Sequence, residues 1–407
     1  MSTITAGAAP RSTFREVWLI SAGHMMTHWY PATFYVLLPL IGNELGLSFS
    51  QIGSIMTCQA AAGAISNLPG GMAVDLVGRK GLLMAVALSW IGLPYLVMGL
   101  SHSYWMLLGC AALVGIGNNL WHPTAIPLLA QSHPQRSGLV VSIHAMGGHL
   151  GDAIAPPVVG AMLAVLSWRD VVIMNFIPGV IASVLLLMAL GQSGSARMAP
   201  DPAQAKPRKA APSLDGVMSL LADRTVVTLS LGSAMRAMTA MTLLAFLPLF
   251  LAKEMNYSPV WIGNVLFALQ AAGFVAAPVC GHLSDRMGRR NIIMTSMAMS
   301  GVVLLFMAFA GNSPAFALFV AVLGFFLFAT RSVLQAWLLD ATPRHLAGTT
   351  IGILFGAQAV GGAIGPLAGG LIADYWGITA TFYFLAATIV IANLFILITP
   401  EEIRKEA

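Results

Sequence analysis

The stretch "GGMAVDLVGRKGLL" (70–83) returns in altered form as "CGHLSDRMGRRNII" (280–293), 210 positions later in a chain of 407 residues. Two glycines, one aspartate and one arginine keep their places in both copies. The same spacing relates more glycine and proline positions than chance would give, so the sequence predicts a duplicated chain with two parallel halves. The further matched positions are Gly53 with Gly263, Gly63 with Gly273, Pro156 with Pro366 and Gly160 with Gly370.

The composition excludes an ordinary soluble domain. Hydrophobic residues make up 57% of the chain and charged residues only 9%, and the mean hydropathy is +0.82. Soluble domains carry roughly 25% charged residues, which cover the water-facing surface. The sequence therefore predicts a multi-pass membrane protein whose main partner is the lipid bilayer. Cys58, Cys110 and Cys280 stand alone in apolar runs, so no disulfide and no metal site is predicted from them.

Apolar stretches of about 20 residues or more, the length that a helix needs to cross a bilayer, occur twelve times. The first six form a predicted bundle in residues 1–191 and the last six form another in residues 225–407. Residues 192–224 are rich in Pro, Ala, Ser and Lys/Arg and are predicted to be a solvated linker. The spans lie near 16–42, 51–74, 81–100, 104–130, 138–165, 170–191, 225–251, 260–284, 291–310, 314–340, 348–374 and 378–399.

The positions of the basic residues predict the orientation. Of the 20 Lys and Arg residues, Arg169 and Lys253 fall on one side and Arg236 and Arg331 fall inside spans, which leaves sixteen on the side of the termini. Cytoplasmic loops carry the excess of positive charge, so both termini are predicted to be cytoplasmic in a bacterial inner (plasma) membrane. The net charge of +5 is explained by these loops, and no nucleic-acid partner is expected. A monomer is expected.

The repeated loop G-x-x-x-D-x-x-G-R-[KR], after spans two and eight, resembles the signature loop of the major facilitator superfamily over essentially the whole chain. The stretches "GDAIAPPVVG" (151–160) and "GGAIGPLAGG" (361–370) resemble the glycine–proline antiporter motif of that superfamily and its counterpart. The resemblance implies an all-α membrane protein with twelve transmembrane helices in two pseudo-symmetric six-helix bundles. It also implies proton-coupled transport by alternating access, without a cofactor.

Within the superfamily, His24, "GIGNNLWHPTA" (115–125) and "HAMGGHLGD" (144–152) resemble the fosmidomycin-resistance group of exporters. The superfamily resemblance further implies a conformational latch in the repeated loops, whereas the same residues could serve only to set topology. The predicted latch residues are Gly71, Asp75, Gly78, Arg79, Gly281, Asp285, Arg286, Gly288, Arg289 and Asp340.

Glycines and prolines in spans five and eleven permit close helix packing and bending. A static, tightly packed interface is the alternative. The residues of this predicted helix-bending motif are Gly151, Pro156, Gly160, Gly361, Gly365 and Pro366.

Polar side chains inside the spans mark the predicted functional site. His24 and His28 share one face of span one, and Tyr35 continues that face. Polar residues on one face of a spanning helix indicate the bundle interior or a wet cavity. Asn118 and His122 lie one turn apart in span four, although such residues also serve as plain hydrogen bonds between helices.

Two arginines inside the spans predict a negatively charged partner. Each buried charge costs on the order of +3 kcal/mol. Asp152 is the only carboxylate placed well inside a span, so it can pair with one arginine at most, and an anionic ligand can satisfy the rest. The predicted substrate-binding residues are Arg236, Arg331, His24, His28, His122, Asn118, Tyr35 and Gln335.

Histidine titrates near neutral pH, so Asp152 with His24, His28 and His122 is the predicted proton-coupling site. The preferred function is a proton antiporter that exports a small organic anion or a drug-like compound. Import of a carboxylate or phosphonate by proton symport fits the same residues. The chain has no HExxH, no GxSxG with partners and no GxxxxGK[ST], which argues against an enzyme and against an ATP-driven pump. A channel fits a duplicated chain with buried single charges less well.

Overall fold

A computed structural model describes residues 14–77, 79–190, 214–310, 313, 315–343 and 346–400, and within these residues the regular structure is helical throughout. The helices are α1 (Phe14–Glu44), α2 (Phe49–Val77), α3 (Lys80–Gly99), α4 (Tyr104–Ser132), α5 (Ser137–Met162), α6 (Trp168–Leu190), α7 (Leu214–Ala222), α8 (Arg224–Lys253), α9 (Pro259–Met287), α10 (Arg289–Phe309), α11 (Ala315–Asp340), α12 (Ala347–Trp376) and α13 (Ala380–Leu397).

The predicted all-α membrane fold is confirmed, and each predicted span corresponds to one long helix. Spans one to six are α1–α6 and spans seven to twelve are α8–α13. Helix α6 is interrupted at Asn175. The predicted linker differs from the structure at its end, because the apolar run around Met218 and Leu220 forms α7 instead of unstructured chain. The rest of that linker, residues 192–213, lies outside the described residues.

Eight of the described helices are long and apolar enough to cross a membrane by length and composition, namely α3, α6 and α8–α13. The other four long helices, α1, α2, α4 and α5, have 31, 29, 29 and 26 residues. The five histidines that the first half places within its long helices lie on α1, α4 and α5: His24, His28, His122, His144 and His149. Polar residues inside a membrane helix indicate an interior or cavity-facing position.

Each half is built on the same close helix contacts, which explains the duplicated glycines. A Cβ at Gly151 would lie 2.3 Å from the Met25 carbonyl oxygen, so α5 packs directly against the α1 backbone. In the second half a Cβ at Gly361 would lie 2.1 Å from the Ala234 carbonyl oxygen, which joins α12 to α8 in the same way. Small residues at these positions allow backbones to approach each other inside a membrane, where packing drives helix association.

The two halves meet along two seams, α2 with α12 and α5 with α9. A Cβ at Gly53 would lie 2.2 Å from the Pro366 carbonyl oxygen, and a Cβ at Gly263 would lie 2.3 Å from that of Pro156. These are the same contact written twice, because both partners are related by the internal repeat of 210 residues. The glycines and prolines that recur at this spacing therefore form the interface between the halves, in addition to marking the duplication.

The seams are closed at the end where α2 and α9 begin. There the Asp374 carboxylate of α12 accepts hydrogen bonds from the backbone N–H groups of Phe49 (2.8 Å) and Ser50 (2.9 Å). These groups belong to the first turn of α2 and have no acceptor within their own helix, so a carboxylate from the other half satisfies them. Gly160 and Gly370 also lie against backbone of the opposite half at this end.

The opposite end, where α4 meets α5 and α11 meets α12, is open. A Cβ added to any of five glycines there would have no described atom within 4 Å. At the closed end the glycines of the seams have matching distances of 2.2–2.5 Å, whereas Gly46, Gly109 and Gly377, outside the seams, are also free of contacts. On α12 the close contact at Gly370 is therefore absent at Gly352 and Gly356. The five glycines are Gly138, Gly281, Gly348, Gly352 and Gly356.

Because the seam is closely packed, a larger residue in place of a seam glycine should lower the stability of the protein. We expect Gly263→Val to destabilise the protein by about 1–3 kcal/mol, because the new side chain overlaps the Pro156 carbonyl at 2.3 Å. Gly352→Val is the matched control, since that helix position has no described atom within 4 Å. The thermal unfolding midpoint in detergent measures the difference. Equal midpoints for the two variants would contradict the seam.

Candidate functional site

A cluster of histidines lies between α1 and α4, halfway along both helices. The Nε2 atoms of His24 and His122 are 3.1 Å apart. His28, one turn after His24, has its ring 4.7 Å from the His24 ring in an edge-to-face arrangement. One ring nitrogen from each of the three residues lies within 4.8 Å of the others, so the group has the spacing to hold a metal ion. The predicted association of these three histidines is therefore found in the structure.

Helix α5 completes the cluster from the third side. The His144 ring stacks on the His24 ring at 3.9 Å, and the His144 carbonyl oxygen accepts a 2.7 Å hydrogen bond from His24 Nδ1. A Cβ at Gly148 would lie 2.7 Å from His24 Cε1 and 2.9 Å from His28 Nε2. Only glycine leaves room for both rings at this position. The glycine in "HAMGGHLGD" therefore allows α5 to pack against the histidines of α1.

Asp152 also comes from α5 and contacts the cluster through His28. Its Oδ2 atom accepts a hydrogen bond from His28 Nδ1 at 2.9 Å, and both side chains are partly exposed. From the sequence, Asp152 is expected to pair with one of the two intramembrane arginines at most. That pairing is absent from the described contacts shorter than 4 Å, because the carboxylate is oriented toward the histidine one helix away.

The second half contributes Arg236 from α8 and Arg331 from α11. Arg236 is only 4% exposed, and its Nε atom has no hydrogen-bond partner among the described residues. Arg331 is exposed, and its charge interacts with those of Arg236 and of Asp152, the latter across the gap. Neither arginine forms an ion pair within 4 Å in the described part of the chain. Two positive charges therefore face the gap opposite a single carboxylate.

For the side chains of the remaining predicted substrate residues, no hydrogen bond or ion pair is found within the described part of the chain. Tyr35 is 8% exposed and interacts electrostatically with Asp152. Asn118 has a buried Oδ1 atom without a described hydrogen-bond partner. Gln335 is half-buried one turn beyond Arg331 on α11. His149, on α5, points away from the cluster toward Phe274 of the second half, with the ring centroids 6.1 Å apart.

The second signature loop forms a charge network inside its own half. Arg289 donates to Asp340 at 2.5 Å and to Asp285 at 3.2 Å, which ties the start of α10 to α9 and α11. Gly288 makes the turn with φ of +91°, a conformation that other residues rarely adopt. Arg286 is exposed. The predicted contact to Asp340 is present, and it joins helices of one half rather than bridging the two.

The first copy of the loop is described only in part. Arg79 is exposed. Gly71 and Asp75 are described only by their helical backbone, and Gly78 lies outside the described residues. The predicted bending motif lies in the packed parts of α5 and α12. A Cβ at Gly365 would lie 2.6 Å from Thr242 Oγ1, and the contacts of Gly151, Pro156, Gly160, Gly361 and Pro366 are the seam and helix contacts described above.

Sequence reasoning left His144 and Gly148 out of the predicted site. Their four-residue spacing, continued to Asp152, places both on the same face of α5 as Asp152. That spacing was a usable signal, because His24 and His28 have the same spacing on α1. What the sequence did not reveal is that α5 lies against α1 closely enough for the rings to stack.

The sequence profile of the Major Facilitator Superfamily matches residues 17–234 and again residues 229–407, so together the two matches cover nearly the whole chain. The chain belongs to the major facilitator superfamily. It is thus a transporter rather than an enzyme, and a multi-pass protein of the bacterial inner membrane.

Two of the relatives are distant in sequence and align over most of the chain. The fosmidomycin resistance protein of Escherichia coli (strain K12) is 23% identical over 410 residues, with 98% of both chains covered. The hexuronate transporter of Bacillus subtilis (strain 168) is 24% identical over 86% of each chain. Among solved structures, a bacterial homolog of the human lysosomal transporter Spinster, in an inward-facing and unoccupied conformation, has a TM-score of 0.82 at 16% identity over 95% of this chain and 96% of that one.

Proposed function

We propose that this major facilitator transporter is a proton-coupled carrier that exports a small organic anion or a drug-like compound by antiport. The observation that carries the proposal is the pair Arg236 and Arg331, which lie in the gap between the halves without an acidic partner within 4 Å among the described residues. An arginine in a membrane interior needs a negative partner, and a visiting anion supplies one. The anion is the transported substrate.

Alternating access follows from the duplicated halves with one closed and one open end. With the termini in the cytoplasm, as the charge distribution of the loops predicts, the open end faces the cytoplasm. An exporter in this state can take its substrate from the inside. The halves then rock about the arginines and the histidine cluster, so that the seams at the other end separate.

Proton coupling is assigned to Asp152 and the histidines it contacts. Asp152 binds His28 at 2.9 Å and interacts with Arg331, so the charge state of the first half is linked to the ligand site of the second. The glycine–proline motif of α5 and the full-length similarity to a fosmidomycin resistance protein support antiport. Protons that enter from outside then leave for the cytoplasm as the anion is expelled.

A second candidate is uptake of an organic anion by proton symport. The electrostatic interaction between Asp152 and Arg331 supports it, because it links the proposed proton site to the proposed anion site. A relative that aligns over 86% of each chain is a hexuronate transporter, and hexuronates are carboxylates.

Transport into liposomes under imposed pH gradients tests both candidates. Purified protein is reconstituted with a panel of labelled organic anions of graded size. Antiport drives accumulation when the lumen is acidic, whereas symport drives it when the outside is acidic. An unchanged rate under either gradient would refute proton coupling, and transport confined to cationic or neutral compounds would refute the anion site.

A further inference from the structure

The hydrogen bonds around the histidine cluster fix which ring nitrogens carry protons. His24 Nδ1 faces the His144 carbonyl oxygen at 2.7 Å and His28 Nδ1 faces Asp152 at 2.9 Å. Carbonyl and carboxylate oxygens only accept, so in both residues Nδ1 is the donor and the neutral ring presents Nε2 as a lone pair. His122 faces this pair of residues through its own Nε2 atom.

The Nε2 lone pair of His24 faces His122, and the two Nε2 atoms are 3.1 Å apart. A neutral His122 either donates a proton across this contact or, with its proton on Nδ1, presents a second lone pair. In the second form the two nitrogens can bind one cation. The separation is close to the roughly 3.3 Å between two nitrogens that bind one tetrahedral zinc ion at about 2.0–2.1 Å each.

We propose that His24, His28 and His122 form a site for a divalent transition-metal ion of the zinc class, bound through their three Nε2 atoms. The inference goes beyond the proposed transport function and stands on geometry alone. Imidazole nitrogen is a preferred ligand of such ions, and three protein ligands leave a fourth position for water or an anion. Hard cations such as Mg²⁺ and Ca²⁺ prefer oxygen and are not expected here.

The outer contacts of the cluster have the form that metal-binding histidines require. Ligating histidines usually donate their other ring nitrogen to a carboxylate or a backbone carbonyl, which fixes the ring and raises its basicity. Here the Asp152 carboxylate accepts from His28 and the His144 carbonyl oxygen accepts from His24. Gly148 keeps the space beside two of the rings free of a side chain. All of these groups belong to the first half, so a bound metal does not cross the gap.

Metal binding by the purified, untagged protein tests the site, with Co²⁺ as a coloured probe and Zn²⁺ as its competitor. We expect one tight site per chain, with the visible absorption of a low-coordinate Co²⁺ complex, that is displaced by Zn²⁺. His24→Gln and His122→Gln should lose it. His149→Gln, an intramembrane histidine on α5 outside the cluster, is the matched control and should retain it.

Asp152→Asn keeps the shape of the site and tests the outer contact. We expect it to weaken Zn²⁺ binding by about 10- to 100-fold without abolishing it. Equal binding by the wild type and His122→Gln, or no site tighter than in a His24→Gln/His28→Gln/His122→Gln triple variant, would overturn the proposal and leave a shared proton as the cation between the rings. Because no transport is measured, failure of the metal site leaves the proposed carrier function standing.

Discussion

Asp152→Asn will abolish transport driven by a pH gradient while leaving substrate binding within a few-fold of the wild type. Asparagine has nearly the same volume as aspartate and still accepts a hydrogen bond from His28 Nδ1, so the 2.9 Å contact survives. What is lost is the carboxylate that belongs to the proposed proton-coupling site and that interacts with Arg331. Uptake into liposomes with and without an imposed gradient measures the loss.

His149→Gln is the control for that experiment. It lies on the same helix as Asp152, three residues earlier, and faces the second half at Phe274 rather than the histidine cluster. We expect it to keep gradient-driven transport at more than about half of the wild-type rate, because its ring contacts Phe274 and no hydrogen bond among the described residues joins it to Asp152 or the histidine cluster. Driven transport that survives in Asp152→Asn would show that the coupling proton is carried elsewhere.

The fold was predictable because its determinants are local or repeated. An apolar run of about twenty residues predicts a membrane-spanning helix by its length alone. The glycines that recur 210 residues later indicate the duplication. The seams add a reason for that spacing that sequence could not supply. Gly53 and Gly263 are each matched to the carbonyl of a proline in the other half, which becomes visible only when the helices are placed.

The linker was predicted less well, for a physical reason. Composition identifies a segment that is too polar to form a core of its own. A short amphipathic helix such as α7 can still form, because its one apolar face packs against neighbouring helices. Leu220 is 4% exposed, whereas Met218 on the other face is 57% exposed. A nine-residue pattern of this kind is too brief for periodicity to separate from the surrounding polar chain.

For the candidate site, sequence named the residue types and the structure assigned their contacts. The histidine pair of α1 and His122 could be placed on interior faces from four-residue spacing. The partner of Asp152 could not be predicted from spacing. Its identity depends on whether α5 lies nearer to α1 or to the helices of the second half that carry the arginines. In the structure α5 packs on α1 through Gly151, so the carboxylate lies beside His28.

Arg331→Gln will weaken binding of the transported anion by about 10- to 150-fold, which corresponds to about 1.5–3 kcal/mol for hydrogen bonds to a charged group. Glutamine keeps a polar side chain of similar reach but removes the charge and the planar fork that binds a carboxylate or phosphonate through two N–H groups. Thermal-shift titration of the purified protein measures the change. Anions should raise the unfolding temperature of the wild type far more than that of the variant.

Arg331→Lys separates charge from geometry in the same assay. Lysine retains a positive charge as a single ammonium group, so part of the affinity should remain, between the values of the wild type and of Arg331→Gln. Arg236→Gln tests the contribution of the second arginine in the same assay. Arg236 is 4% exposed and lacks a described partner at Nε, so loss of its charge should weaken anion binding and also raise the stability of the ligand-free protein. If the arginines only hold the helices together, both variants will unfold earlier and bind anions as the wild type does.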